Sequence, residues 1–273
     1  MTQDIDTVSS TISSKLIQLQ DAYAQFGLKQ KVNLGFQAGQ FISLIGLNGS
    51  GKSSLLKLIC GLNYRSGVLN IKGQALRSLP AHKRARVLSY LPQNPPVSTH
   101  WTVLELIKQG LYPHQAFYAQ DINLHQEEQK RIESTCKELS LEPLLNRTLA
   151  HLSGGELQKA LIARLLIQDC QIILLDEPLS ALDWPKQESI LRILKKQCIE
   201  HNALVIIAIH DLNLAALYSD HLVLLKDGLI LAQDHPQAMF NSNLIKTCFE
   251  AEALQVSHPQ HDLKQVLPWG LNS

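Results

Sequence analysis

An α/β fold built around a mostly parallel sheet is the fold class this sequence predicts, and three observations predict it. A short apolar run, "FISLIG", ends in a glycine-rich loop and gives way to "KSSLLKLICGL", whose apolar residues recur at helical spacing. Two further runs, "QIILLDEP" and "ALVIIAIH", are rich in isoleucine, leucine and valine and nearly continuous, as strands buried on both faces are. Amphipathic helical stretches separate these runs, so strand and helix alternate. With 273 residues, 45% of them hydrophobic and 18% charged, the chain is long enough to bury a large core in one or two domains.

Taken in order, residues 1–14 are polar and acidic and read as a flexible lead, without the charged-then-apolar layout of a signal peptide. From Leu16 to about Gly73, "KLIQLQDAYA" and "KVNLGFQAG" alternate as short strands do, and Gly61 is placed to stop the helix that follows "FISLIG". Residues 74–150 change character. Prolines in "LPQNPPVSTHW" break the chain, and "TVLELIKQG" and "DINLHQEEQKRIESTCKELSL" read as helices, giving a mostly helical insert over about 95–150. Beyond Ser153 come a helix in "GELQKALIARLLIQDC", another in "WPKQESILRILKKQCIEH" with Pro185 in its first turn, and a third in "DLNLAALYSD". "HLVLLKDGLILAQ" reads as a hairpin turning at Asp227 and Gly228. The tail, 236–273, is weakly patterned.

The bulk numbers exclude some functions. A net charge of +1 leaves no electrostatic footprint for nucleic acid, and the 11 histidines are scattered. The five cysteines (Cys60, Cys136, Cys170, Cys198, Cys248) show no metal spacing and read as reduced thiols. The most apolar segments fall far short of the ~20 residues that span a bilayer, so a role at a membrane requires a partner.

The chemistry concentrates in a few short stretches. "GLNGSGKSS" matches G-x-x-x-x-G-K-[ST] from Gly46 to Ser53, with the strand before and helix after that a phosphate loop needs. Its glycines let backbone N–H groups turn inward, and the helix start adds partial positive charge. Gly46, Leu47, Asn48, Gly49, Ser50, Gly51, Lys52, Ser53 and Ser54 are the phosphate-binding candidates. Lys52 is expected to reach the β- and γ-phosphates, and the Ser53 hydroxyl suits Mg2+. In "IILLDEP", Asp176 and Glu177 end a buried strand, where open α/β sheets place their ligands. Asp176 is the expected Mg2+ partner, and Glu177 is placed to orient or deprotonate an attacking water. His210 ends the other apolar strand and is expected near the γ-phosphate, with Asp211 beside it to orient the ring. Ser153, Gly154 and Gly155 form a second small-residue device, about a hundred residues past the first.

Together "GLNGSGKSS", "YLPQ", "LSGGELQ", "LLDEP", "LSALD" and "AIHD", in this order and spacing, resemble the ATP-binding subunits of ABC transporters over roughly residues 16–235. The resemblance implies a P-loop NTPase (RecA-like) core with an antiparallel β subdomain and an inserted α-helical subdomain, all within an ATP-binding domain at 15–235. It implies Mg-ATP as the nucleotide and ATP hydrolysis as the activity. It makes Tyr23 the adenine-stacking aromatic, and Gln93 a link between Mg2+, the attacking water and the membrane partner. By the same resemblance, Ser153, Gly154 and Gly155 contact the γ-phosphate held by a second subunit, Asp183 couples the two sites, and His210 holds the γ-phosphate.

Implied partners are a second copy of the subunit, integral-membrane permease subunits and, indirectly, a substrate-binding protein, at the cytoplasmic face of a bacterial inner membrane. The insert sequence "WTVLELIKQGLYPHQAF" is similar to that of importers for ferric siderophores, haem and cobalamin. Gly110, Pro113 and His114 match, whereas Leu111 replaces the usual arginine. Molybdate or tungstate importers and soluble non-transport ABC ATPases remain alternatives, and His114 is expected to be a loop or interface residue and no metal ligand. Three departures stand out: "KSS" for "KST", "ELQKA" after the glycines where "QRQRV" is typical, and Trp184 where an aliphatic is usual.

Overall fold

The computed structural model describes residues 15–114, 126–239, 242–249, 253–257 and 264–268. The expected lead at 1–14 and the start of the helix expected from 121 lie outside the described residues.

Strands β1 (Ile17–Ala24), β2 (Val32–Phe36) and β3 (Phe41–Ile45) lead into α1 (Lys52–Ile59). Gly61, at φ 75°, follows the end of α1, a conformation that favours glycine. Next come β4 (Tyr64–Ile71), the short β5 (Gln74–Ala75), α2 (Ala81–Ala85) and β6 (Leu88–Leu91). β1, β2, β4 and β5 pair antiparallel in the order β2-β1-β4-β5. The insert holds α3 (Val103–Lys108), a 3-10 turn over Gln109–His114, and α4 (Gln126–Glu138). Thr102 and Glu105 cap α3 reciprocally, which fixes where it starts.

The second half of the chain alternates helix and strand as its pattern predicts: α5 (Gly154–Ile167), β7 (Ile172–Asp176), α6 (Trp184–His201), β8 (Leu204–Ala208), α7 (Leu212–Tyr218), then the hairpin β9 (His221–Lys226) and β10 (Leu229–Asp234). Asp227 at φ 51° and Gly228 at φ 80° give the hairpin turn its two left-handed residues.

The described parts of the weakly patterned tail hold regular elements that its sequence does not announce. They contain α8 (Pro236–Met239), α9 (Ser242–Phe249) and an antiparallel pair, β11 (Ala253–Ser257) and β12 (Lys264–Pro268). Strand β12 is tied to α7 by Asn213, whose amide nitrogen donates to Val266 O at 3.1 Å while its oxygen accepts from Val266 N at 2.8 Å. Contacts of that kind join residues 53 apart and leave no local period to read.

The central sheet runs β10-β9-β3-β8-β7-β6, parallel except for β10. Period-two alternation splits its side chains between two cores. Ile173, Leu175, Val205 and Ile207 pack with α5 and α6, while Ile172, Leu174, Leu204 and Ile206 pack with α1 and the antiparallel sheet. Each such side chain, at most 3% exposed, contributes about 1.5–3 kcal/mol by leaving water. All five cysteines are buried and unpaired. No helix among the described residues is long and apolar enough to cross a membrane. The carboxyl ends of β3, β6, β7 and β8 lie side by side, and each opens into one of the motif loops.

Candidate active site

The loop after β3 is a cradle whose shape demands its glycines. Gly46 (φ 148°) and Gly51 (φ 107°) occupy backbone conformations that exclude most side chains, and a Cβ on Gly46 would collide with Leu225 O. Within the cradle, Lys52 is 3% exposed, and its ammonium donates to Gly46 O at 2.9 Å and Leu47 O at 3.1 Å. Burial pulls its pKa below the ordinary lysine value, with Glu177 and Asp176 opposing the shift. Ser50 is buried, and its Oγ has no hydrogen-bond partner, a cost the fold accepts where an anionic oxygen can supply the bond. No side chain caps α1 at Gly51, so its first N–H groups face the same cradle.

Alternation along β7 puts Asp176 on the face of Ile172 and Leu174, toward α1. There its carboxylate accepts from Ser53 Oγ at 2.9 Å and from the Tyr90 hydroxyl at 3.4 Å. Burial raises the Asp176 pKa above the usual carboxylate value, and burial with the nearby Asp176 charge likewise raises that of Tyr90. Glu177, at φ 52°, turns the chain out of the strand, so the two adjacent carboxylates serve one site. Three groups from three separate segments converge on it: Gln93 Nε2 donates at 2.8 Å, His210 Nε2 lies at 2.8 Å, and Lys52 Nζ at 3.7 Å. The His210 contact requires the tautomer with hydrogen on Nε2, since a carboxylate only accepts.

The residues fit a magnesium ion. Ser53 and Asp176 form a hydroxyl and carboxylate pair beside a phosphate cradle, and Mg2+ takes one or two carboxylates together with substrate oxygens. No cluster of three histidine, cysteine or acidic side chains able to hold a metal occurs among the described residues.

Ser153 and Asp183 lie apart from this cluster in type, since both are exposed helix caps. Ser153 caps α5 in a reciprocal box with Glu156, and the Glu156 carboxylate accepts from both the backbone N–H of Ser153 (2.8 Å) and its hydroxyl (2.7 Å). Those bonds hold the Glu156 carboxyl below its usual pKa. Asp183 caps α6 and pairs with Lys186 at 2.5 Å, which lowers its pKa likewise. The two segments touch: a Cβ on Gly155 would sit 3.3 Å from Leu182 Cδ2, and one on Gly154 would sit 3.8 Å from Ala181 Cβ. Tyr23 is half-buried in β1, with the Arg65 guanidinium 5.6 Å from its ring centre. Ser54 meets Gly27, three residues beyond the end of β1.

Three expectations change. His210 lies two residues past the end of β8 and faces Glu177, and Asp211 does not orient it. The Asp211 carboxylate instead caps α7, accepting from Asn213 N and Leu214 N at 2.8 and 3.0 Å, because a short acid at a helix start satisfies the local backbone first. Tyr90 was not among the sequence candidates. Only the strand register reveals it: Tyr90 sits beside Leu174 in the parallel pair, so alternation turns it to the Asp176 face. His114 ends the 3-10 turn over Gln109–His114 rather than lying in a loop, with Nε2 2.8 Å from Gln168 O.

Comparison with known proteins follows the same lines. Residues 29–180 match the ABC transporter family. A relative described as a siderophore transport system ATP-binding protein, from Bacillus subtilis, is 34% identical over 96% of this chain and 94% of its own length. A hemin import ATP-binding protein of Shewanella denitrificans is 35% identical over 85% of this chain and 91% of its own. Among solved structures, a dimeric bacterial ABC transporter cassette superposes with a TM-score of 0.71 at 27% identity, covering 80% of this chain and 98% of that one.

Proposed function

Given that this chain belongs to the ABC transporter family, as an ATP-binding and ATP-hydrolysing subunit, we propose that it energises import of an iron chelate, a ferric siderophore or haem, through a separate integral-membrane permease at the cytoplasmic face of a bacterial inner membrane. The names of its siderophore-transport and hemin-import relatives support that cargo class. A substrate-binding protein would deliver the chelate to the permease, and nucleic acid is no partner.

The observation that carries the catalytic reading is the convergence of Lys52, Gln93 and His210 on the Glu177 carboxylate. In this reading the triphosphate lies along 46–54, with Lys52 released from Gly46 O and Leu47 O to face the β- and γ-phosphates. Ser50 Oγ donates to a phosphate oxygen, and the adenine stacks on Tyr23. Ser53 and Asp176, with Gln93 nearby, would hold Mg2+, whose positive charge would offset the negative charge on the phosphate oxygens. Glu177 accepts a proton from the attacking water, which adds to the γ-phosphorus as the bond to the leaving ADP oxygen breaks. The His210 Nε2–H and the Lys52 ammonium stabilise the charge that spreads over the phosphoryl oxygens.

Two chains pair head to tail, a reading supported by the dimeric cassette to which this chain is similar. Ser153 and Gly155 of one chain then meet the γ-phosphate held by the other, with Asp183 at the junction. Closing and reopening of the pair moves the permease.

Glu177→Gln keeps the shape of the site and removes the base. It should retain ATP binding, accumulate a nucleotide-bound dimer in gel filtration, and lower kcat by about 100-fold or more. Turnover at the wild-type rate would remove Glu177 from its role.

A further inference from the structure

Between the catalytic carboxylate and the cap of α6 runs a six-residue connection, 178–183, that touches both halves of the proposed paired site. At one end Glu177 faces Lys52, Gln93 and His210. In its middle, Ala181 and Leu182 lie beside Gly154 and Gly155, close enough to meet a Cβ placed there. Its internal bonds are two short turns: Ser180 N and Oγ reach Glu177 O at 3.5 and 3.2 Å, and Leu182 N donates to Leu179 O at 3.1 Å. Such turns do not by themselves fix the connection against the body of the protein.

Gln187, on the first turn of α6, supplies that anchor. Its side-chain nitrogen donates to Leu179 O at 3.1 Å and to Leu182 O at 3.0 Å. A primary amide nitrogen carries two hydrogens, so one side chain serves both carbonyls at once, while an alkyl or carboxylate group serves neither. With Glu177, Ser180, His210 and Asp211, Gln187 also lines a cavity of about 170 Å³ beside the carboxylate. The clamp is therefore half-buried, in a place where lost bonds are not fully replaced by water.

We propose that Gln187 is a positioning residue for hydrolysis: by clamping Leu179 and Leu182 it sets the register between Glu177 and the turn at 153–155 that completes the partner's site. This rests on the catalytic reading above. Without the clamp, Leu182 and Ala181 lose their fixed seat beside the glycines, and the carboxylate and the pairing face are no longer held in one geometry. Small misplacements of this kind cost rate more than binding.

The test compares Gln187→Met, which keeps length and volume without a donor, with Gln187→Glu, which keeps shape but presents an acceptor at neutral pH. ATPase rates, fluorescent ATP-analogue binding and thermal midpoints are measured on the full chain, with Glu177→Gln alongside. Both variants should lose about 10-fold or more in kcat, with nucleotide affinity within about twofold of wild type. Facing two carbonyls and the nearby Glu177 carboxylate, the introduced carboxyl should have a raised pKa. Relative to wild type, the Glu variant should therefore regain rate as pH falls toward about 5, as protonation restores one donor, while the Met variant should not. A Met variant at the wild-type kcat, a parallel loss of nucleotide binding, or equal pH profiles for both variants would overturn the proposal. If Glu177→Gln is inactive while Gln187→Met is fully active, the positioning role alone fails. If Glu177→Gln turns over normally, the catalytic reading beneath it fails.

Discussion

The two helix starts assigned to phosphate in the proposed function are built in opposite ways. At the start of α1, Gly51 takes φ 107°, no side chain caps the helix, Lys52 is buried, and Ser50 Oγ lacks a partner. At the start of α5, Ser153 is exposed, and its hydroxyl and N–H are both bonded to Glu156. The first holds unmet hydrogen-bonding capacity inside one chain, which is what a preformed anion site looks like. The second is satisfied by itself and faces outward. Its small residues 154 and 155 leave room for another molecule to approach, and its carboxylate, Glu156, is already bonded to Ser153. The contrast fits the proposed division of labour, in which one device binds and the other completes a site elsewhere.

The strongest way to break this contrast is to disable each start in turn. Lys52→Ala should lose hydrolysis and weaken ATP binding by about 10-fold or more, because the charge facing the phosphates is gone. Ser153→Arg should also abolish hydrolysis, yet leave ATP binding by the single chain within about twofold, since that side chain touches nothing in the 46–54 cradle. Equilibrium binding with a fluorescent nucleotide separates the two; equal loss of binding in both variants would erase the distinction.

A smaller effect sharpens it. Glu156 places a negative charge on the hydroxyl that is to meet a phosphate. Glu156→Gln retains a capping-box side chain while removing that charge, so it should strengthen nucleotide-dependent pairing by about 2- to 5-fold. Light scattering on the Glu177→Gln background reads this directly, and weaker pairing would show that the charge helps the contact.

The smallest effect concerns Asp176. Burial raises its folded pKa above the unfolded value, so the folded state binds the proton more tightly. The metal-free protein therefore loses stability as pH rises through that interval and regains it as pH falls. Asp176→Asn, which can still accept from Ser53, should raise the metal-free Tm by ~2 °C at neutral pH, and the gain should shrink on acidification. A gain that grows as pH falls would contradict the assigned cause.

Much of the fold and the candidate site could be read from sequence because it depends on short-range requirements. The cradle at 46–53 needs glycine at defined backbone angles, buried parallel strands need unbroken apolar runs, and the 184–201 helix announces itself by Pro185 and its period. What could not be read depends on pairings across the chain. Tyr90 meets Asp176 only through strand register. Asp211 chose a local cap over the neighbouring histidine ring. Gln187 reaches back to loop carbonyls that no periodicity marks. The described parts of the tail bond Asn213 and Lys226, both far from them in sequence.

The division of one site between two chains is tested most directly by mixing. Lys52→Ala chains keep an intact 153–155 turn, and Ser153→Arg chains keep an intact 46–54 cradle. Neither forms a complete site alone. In a mixed pair, the Ser153→Arg cradle meets the Lys52→Ala turn, so ATPase activity should reappear on mixing, up to about a quarter of the wild-type rate for random pairing of independent sites. A mixture no more active than the separate variants would mean that cradle and turn do not complete one another across the pair.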